Sequence, residues 1–323
     1  MPKLICLMPT YNKEDTLAKA IESVMMQKTD FDYKLIILDD CSSDRSNEIA
    51  KEYQQKFPEK IDIVRNEKNL KLLYSIINGY KLLKDADYFC VLDADDYYTY
   101  DKKFSDAVEF LDKHKDYSMY MTNITFKQGD KESKYYQGDE KIRDFGFNER
   151  KNGKGLFIQT SGVIYRNLYF YTGENKKFEN VVNSKFPQSY RADGFRYEWY
   201  LMGGKAHFVN HEESVYNYDM NGLWSTMSEC EQNLNNAKMM YSCAEFFPEE
   251  KWFYYAMCKD FYKKAMSKTG ELSGEVFVKN QDLITFLYEY LYISNDCFIT
   301  KIMKFFISLI PFKNVRNLLR KSI

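Results

Sequence analysis

The first hundred residues alternate short apolar runs with longer amphipathic stretches, and this alternation constrains the fold more than any other feature. Amphipathic stretches with apolar residues at helical spacing predict helices at 15–27, 44–57 and 70–83. Between them lie four runs with the length and composition of buried strands: 3–8, 33–38, 61–65 and 88–92. Strands that alternate with helices predict a doubly wound, Rossmann-like α/β sheet flanked by helices.

The remaining chain continues this α/β pattern and then changes character. We expect helices at about 104–114 and 195–202, and strands at 119–126 and 156–165. The polar stretch 127–154 between them is interpreted as a mobile loop. Helical patterns dominate from about residue 229. The predicted organisation is therefore an α/β domain over 1–227, a helical appendage over 228–296 and a basic amphipathic segment over 297–323.

Composition excludes several classes of protein. The 46 Lys and Arg balance 47 Asp and Glu, which argues against a protein that coats nucleic acid. Seven cysteines form no CxxC pair, so we interpret them as buried thiols in a reducing compartment. Neither a signal peptide nor a run of about 18 apolar residues is found. These features predict a cytoplasmic protein that is soluble or peripheral to a membrane.

The basic segment 297–323 carries six Lys or Arg residues and no acidic residue. Apolar residues line one helical face until Pro311. Such a segment suits the anionic inner face of a cell membrane. The alternative is a helix that packs on the rest of the chain with its lysines in water.

Polar loops follow three of the predicted strands, at 9–14, 39–46 and 93–96. Because strand ends in a doubly wound sheet meet at one edge, we expect these loops to form a single ligand-binding rim. Asp93, Asp95 and Asp96 repel one another unless a cation or a capped turn offsets their charge. Mg²⁺ and Mn²⁺ bind through one or two carboxylates and substrate phosphates. A capped turn without metal remains the alternative.

Four motifs occur in order along the first 110 residues: MPTYNKEDTLAKAIESVMMQ, LIILDDCSSDRS, NEKNLKLLYSIINGY and YFCVLDADD. In order and spacing they resemble the family 2 glycosyltransferases of GT-A fold. A weaker resemblance continues to about residue 227. No glycine-rich fingerprint follows the first strand, which disfavours a dinucleotide site or a P-loop.

The resemblance implies roles for individual residues. The nucleotide would be held by residues of the first three loops and the turn before the third helix: Pro9, Thr10, Tyr11, Asn12, Asp39, Asp40, Lys71 and Asp93. The metal, Mn²⁺ or Mg²⁺, would be held by Asp93 and Asp95. Lys71 stands where family members often have glycine, and its side chain is expected near the diphosphate.

The resemblance also implies a general base. Ala192-Asp193-Gly194 matches the family's Glu-Asp pair, which makes Asp193 the candidate base, although Ala192 replaces the glutamate. Glu198 is the alternative. The family's metal-binding histidine is replaced within 220–222, and we interpret His211 as structural.

The implied function is metal-dependent, inverting transfer of a sugar from a nucleotide-diphosphate donor to a hydroxyl of a glycan or lipid-linked glycan in cell-surface polysaccharide synthesis. Uracil is the expected base, with guanine and thymine open. Two alternatives are an inactive glycan-binding scaffold of the same fold and a sugar nucleotidyltransferase. The nucleotidyltransferase is disfavoured because PTYNKED lacks a glycine-rich basic loop.

Overall fold

A computed structural model describes residues 2–83, 86–168, 191–220, 222, 224–268, 270, 278, 280–281 and 284–288. The chain divides into two compact units. The first comprises the described residues up to 168 together with 191–220 and 222, and the second comprises the described residues from 224 onward. The predicted boundaries at 227 and 296 remain predictions. The basic segment 297–323 lies outside the described residues, and so does its predicted contact with a membrane.

The first unit has ten strands and six helices among its described residues. The strands are β1 Leu4–Thr10, β2 Tyr33–Asp39, β3 Ile61–Arg65, β4 Tyr88–Val91, β5 Tyr97–Tyr98, β6 Tyr117–Gln128, β7 Lys131–Lys134, β8 Ile142–Phe145, β9 Val163–Arg166 and β10 Lys205–Asn217. The helices are α1 Leu17–Met25, α2 Ser46–Lys56, α3 Leu72–Tyr80, α4 Lys103–Lys113, α5 Phe147–Lys151 and α6 Ala192–Gly203.

The strands form one mixed sheet in the order β3-β2-β1-β4-β9-β6-β10-β5, to which β7 is added through β6 and β8 through β10. The strands β3, β2, β1 and β4 are parallel, whereas β9 runs antiparallel to both β4 and β6. All seven residues of β1 are buried, as expected for a strand covered on both faces. The predicted mixed α/β sheet flanked by helices is thus confirmed.

Helix α3 packs closely on the sheet because Gly79 has no side chain. A Cβ atom there would lie 2.6 Å from a methyl carbon of Leu38 and 3.2 Å from one of Leu7. These two leucines belong to β2 and β1. The contact holds the last turn of α3 against β1 and β2, the strands that carry the first two polar loops.

Two predictions about the middle of the first unit are wrong. The stretch 127–154 is not one irregular loop, because it contains β7, β8 and α5. The stretch is polar because β7 lies at the margin of the sheet, where all four of its residues are exposed to solvent. The predicted strand over 156–165 begins only at Val163, because residues 160–162 form a 3₁₀ turn.

The described part of the second unit is helical, as predicted. It contains α7, Glu229–Phe246, and α8, Lys251–Ser267, joined by a 3₁₀ turn at Pro248–Glu250. Ser228 caps α7, since its hydroxyl accepts a hydrogen bond from the Glu231 amide at 3.2 Å. The Cys230 thiol donates to the Ala265 carbonyl at 3.3 Å, so the start of α7 lies beside the end of α8 and the two helices are antiparallel. Among the described residues, no helix is both long and apolar enough to cross a bilayer.

Candidate active site

The three polar loops lie side by side at one edge of the sheet. They follow β2, β1 and β4, which are parallel neighbours in that order. Thr10, at the end of β1, pairs in register with Asp39, at the end of β2. The convergence that the sequence predicted is therefore confirmed, and ligands of doubly wound sheets bind at such an edge.

The loop after β1 presents an exposed aromatic ring. Pro9 and Thr10 are buried, whereas Tyr11 is 45% exposed. Asn12 has a φ of 52°, and its side-chain oxygen accepts a hydrogen bond from the Ser43 amide at 2.8 Å. Asn12 thus joins the first loop to the second, and Tyr11 is left with its ring available for stacking.

Asp39 and Asp40 are both buried at the end of β2. Asp39 accepts hydrogen bonds from the Ser42 amide at 2.9 Å, from the Asn47 side chain at 3.0 Å and from Arg65 at 2.7 Å. The carboxylate of Asp39 therefore has its hydrogen-bond donors supplied by the protein itself.

Asp40 is bound by the turn that leads into α3. Its carboxylate accepts hydrogen bonds from the amides of Leu70 and Lys71, both at 2.8 Å, and from the Asn66 side chain at 2.8 Å. Lys71 has a φ of 71°, a conformation that favours glycine, and its side chain is exposed. Lys71 is therefore held in a strained backbone conformation.

The acidic loop after β4 contains the most perturbed carboxyl groups of the rim. Asp93 is half-buried, and burial together with repulsion from Asp95 raises its pKa to about 7. Burial, then repulsion from Asp93 and Asp95, also raises the pKa of Asp96 well above its usual value. These raised pKa values mean that the ionised carboxylates of this loop are destabilised by burial and by one another. A bound cation would stabilise them.

Two neighbouring elements hold this acidic loop in place. Asn217, at the end of β10, donates its amide to Asp96 at 3.0 Å and its side-chain nitrogen to the Asp95 carbonyl at 2.5 Å. Thr16 donates its hydroxyl to the Ala94 carbonyl at 2.8 Å. From the loop after β1, Lys13 Nζ reaches Asp95 Oδ2 at 2.5 Å.

Asp193 lies in the first turn of α6, where the helix dipole favours an anion. Burial alone would raise its pKa, but Arg191, 2.8 Å away, and the Gly194 amide more than offset burial and hold the pKa below its usual value. Repulsion from Asp193 contributes to the raised pKa of Asp93, so the two groups share one electrostatic environment.

The other charged residues of α6 are buried. Glu198 is 2% exposed and accepts two hydrogen bonds from Arg150, at 2.7 and 3.2 Å. Arg196 is 3% exposed and donates to the Tyr80 hydroxyl at 2.8 Å. Its Nε has no hydrogen-bond partner in the described part of the chain. Both carboxylates are thus in ion pairs with arginines, but Glu198 is buried whereas the Asp193 side chain is about one-quarter exposed.

The donor set fits a metal that arrives with its ligand better than a preformed protein cage. Among the described residues, no group of three or more His, Cys, Asp or Glu could hold a metal ion. Asp93 and Asp95 supply carboxylate oxygens only, which suits Mg²⁺ or Mn²⁺ completed by phosphate oxygens. His211 Nδ1 lies 3.2 Å from Glu213 Oε1. The predicted absence of a metal-binding histidine within 220–222 remains a prediction, and Asn221 is outside the described residues.

Sequence reasoning missed several residues that organise the site. Lys13, Arg65, Asn66 and Asn217 each bond a carboxylate or the backbone of an acidic loop. One signal was available, because all four lie at or just beyond the ends of β1, β3 and β10, on the rim where ligands bind. Their individual partners were not readable from spacing.

Comparison with known proteins identifies the family. The profile of the glycosyl transferase family 2 matches residues 5–176, more than half of the chain. The uncharacterized protein Rv1520 of Mycobacterium tuberculosis is 23% identical over 222 residues, which are 67% of this chain and 58% of that protein. This chain therefore spans little more than half the length of that relative.

Solved structures share the fold. S. aureus TarS 1-349 in complex with UDP-GlcNAc aligns with a TM-score of 0.55 at 15% identity, over 89% of this chain and 91% of that chain. GalNAc-T7 with UDP, GalNAc and Mn²⁺ aligns with a TM-score of 0.52 at 15% identity, over 84% of this chain and 58% of that chain. The expected GT-A fold is confirmed, and the family match makes the chain a member of glycosyl transferase family 2.

Proposed function

We propose that this protein transfers a sugar from a UDP-sugar to a hydroxyl group of a glycan or lipid-linked glycan, with inversion at the anomeric carbon. The observation that carries the proposal is the acidic loop after β4, whose Asp93 and Asp95 are crowded on the ligand-binding rim. A nucleotide diphosphate with a divalent cation would relieve that crowding. Family membership supports the reaction class, and the UDP and UDP-GlcNAc bound to GalNAc-T7 and TarS support the donor class.

The nucleotide would lie across the first two loops. Tyr11 offers an exposed ring for the base, and the loop at Asp39 and Asp40 lies beside it. Pro9, Thr10 and Asn12 shape the first loop, and the exposed side chain of Lys71 stands at the start of α3 with a charge for the diphosphate. Asp93 and Asp95 would hold the metal, Mn²⁺ or Mg²⁺, which when bound offsets the charge of the leaving diphosphate.

Asp193 would act as the general base. It accepts the proton of the acceptor hydroxyl as that oxygen bonds to the anomeric carbon, while the bond from the same carbon to the diphosphate breaks. Its low pKa keeps it ionised, and its partial exposure leaves room for an acceptor. Because one displacement completes the transfer, no enzyme nucleophile is needed.

The donor class is tested by calorimetric titration of UDP, GDP and dTDP, each with Mn²⁺ and with EDTA. We expect UDP to bind in the presence of Mn²⁺ and to bind at least about tenfold more weakly with EDTA. Binding of GDP or dTDP instead would replace the proposed donor. If none of the three bound, the inactive scaffold would become the better hypothesis.

The role of Asp193 is tested by the substitution Asp193→Asn. General base catalysis contributes ~10²–10⁴-fold, so we expect turnover to fall by about that factor while the Kd for UDP with Mn²⁺ stays within about twofold. Asp116→Asn is the matched control, because Asp116 is an exposed partner of Lys205 at the opposite edge of the sheet. Unchanged turnover in Asp193→Asn would remove Asp193 from the role of base.

A further inference from the structure

Lys13, from the loop after β1, stands among the carboxylates of the acidic loop. The Lys13 amide donates to the Ser46 hydroxyl at 2.8 Å, which fixes its backbone. Its side chain then crosses to the loop after β4, where Nζ lies 2.5 Å from Asp95 Oδ2. The two side chains are 31% and 25% exposed, so solvent screens this ion pair only in part.

No other cation takes this position in the described part of the chain. Lys13 is the one ammonium or guanidinium group there within ion-pair distance of Asp93, Asp95 or Asp96. Arg196 attracts Asp93 from a distance, but its guanidinium is bonded to Tyr80 and Thr160. A divalent ion cannot bind Asp95 Oδ2 while the Lys13 ammonium stays 2.5 Å from the same oxygen. Metal binding at that oxygen therefore requires the lysine to move away.

We propose that Lys13 is a placeholder cation, which occupies the divalent-metal position at Asp95 in the nucleotide-free protein and is displaced when the metal enters. The inference rests on the proposed function, because it takes Asp95 to be a metal ligand. It gives Lys13, a residue of the first loop, a role that acts through Asp95, the proposed metal ligand. Breaking the Lys13–Asp95 ion pair opposes metal binding until phosphate oxygens compensate, so metal and nucleotide bind together and the metal alone binds weakly.

The test measures binding of Mn²⁺ alone, without nucleotide, from the electron paramagnetic resonance signal of the free ion. In Lys13→Met the competing charge is gone and the apolar stem remains, so we expect the Kd for Mn²⁺ to fall by about tenfold at low ionic strength. Asp95→Asn is expected to abolish this binding. Binding that survives in Asp95→Asn would put the ion elsewhere and overturn the proposal.

Lys19→Met is the matched control. Lys19 lies 3.4 Å from the ring centre of Tyr97, the residue that follows the acidic loop, and it has no contact with Asp95. Removing the charge of Lys19 changes the local electrostatic field but leaves the Lys13–Asp95 ion pair in place. We therefore expect the Kd for Mn²⁺ to stay within about twofold. An equal gain in Lys19→Met and Lys13→Met would reduce the effect to general electrostatics and overturn the placeholder role.

Circular dichroism checks that each variant is folded, and Lys13→Gln replaces Lys13→Met if the latter unfolds. An unchanged Kd for Mn²⁺ in the folded Lys13 variant overturns the proposal, as does absence of Mn²⁺ binding in both variant and wild type. A failure of the proposed function is distinguishable, because it would appear as absent UDP binding in the wild-type protein with Mn²⁺.

Discussion

The two acidic loops of the rim contain similar sequences, Asp39-Asp40 and Asp93-Ala94-Asp95-Asp96, but the protein satisfies them very differently. Asp39 and Asp40 each accept three hydrogen bonds from nearby donors. The carboxylate of Asp93 accepts none from the described residues, and its pKa is raised to about 7. Neighbouring carboxylates on one edge of a sheet can therefore either be fully hydrogen-bonded within the protein or be left without donors, in which case a cation would stabilise them.

The difference arises from the elements that face each loop. The loop after β2 lies beside the end of β3 and the turn into α3, which supply a guanidinium, an amide side chain and two backbone amides. The loop after β4 is faced mainly by Lys13 and Asn217. A partly buried carboxylate without hydrogen-bond donors among the described residues, such as that of Asp93, lowers stability, and such a cost is typical of functional sites.

The largest effect is expected from Asp39→Ala. This substitution leaves Arg65 and two further donors without their acceptor, so we expect the free energy of unfolding to fall by about 3 kcal/mol. Chemical denaturation followed by circular dichroism measures the change. Asp62→Ala is the control, because the Lys34–Asp62 pair is partly exposed, at 33% and 46%, and should contribute less than about 1 kcal/mol. Equal losses in the two variants would break the comparison between anchored and exposed carboxylates.

The opposite sign is expected from Asp93→Asn. The carboxyl ionises near 3.8 when unconstrained and near 7 in the folded protein, so ionised Asp93 destabilises the fold progressively as the pH rises through this interval. Removing its charge should raise the free energy of unfolding at pH 8 by about 2 kcal/mol. One pKa unit is worth ~1.4 kcal/mol, and solvent around this half-buried, coupled carboxyl reduces the effect of the full shift.

Denaturation at several pH values checks this prediction. The gain in Asp93→Asn should be small near pH 4, grow up to pH 7 and level off above it. Asp130→Asn, at an exposed position, should show no such gain at any pH. A gain in Asp93→Asn that did not depend on pH would mean that repulsion within the acidic loop is not its cause.

The smallest effect is expected from Lys71→Gly. Glycine adopts the positive φ of this position without strain but loses more entropy on folding, so the net gain should be about 0.5–1 kcal/mol. The amide that binds Asp40 is retained. Lys71→Ala is the control, since it also removes the ammonium group but keeps the strain. Weaker UDP binding in both variants would indicate a role for the side chain, and equal stability in both would contradict the strain.

Much of the fold could be predicted because it depends on local pattern. Each of the first four predicted strands and the first three predicted helices is present, with no end displaced by more than three residues. Errors occurred where exposure hides the pattern, as in β7, or where an apolar run is buried without pairing, as around Ile158. Marginal strands and irregular buried segments depend on their neighbours in space, which hydrophobic periodicity does not encode.

The sequence by itself determined that three polar loops would meet at one edge of a parallel sheet, because strand order and chain direction bring the strand ends together. Only the tertiary structure decided which carboxylate has which partner. Asp95 bonds a lysine 82 positions away, and Asp39 an arginine 26 positions away. Charge interactions depend on distance and burial in three dimensions, and residues far apart in the chain set both.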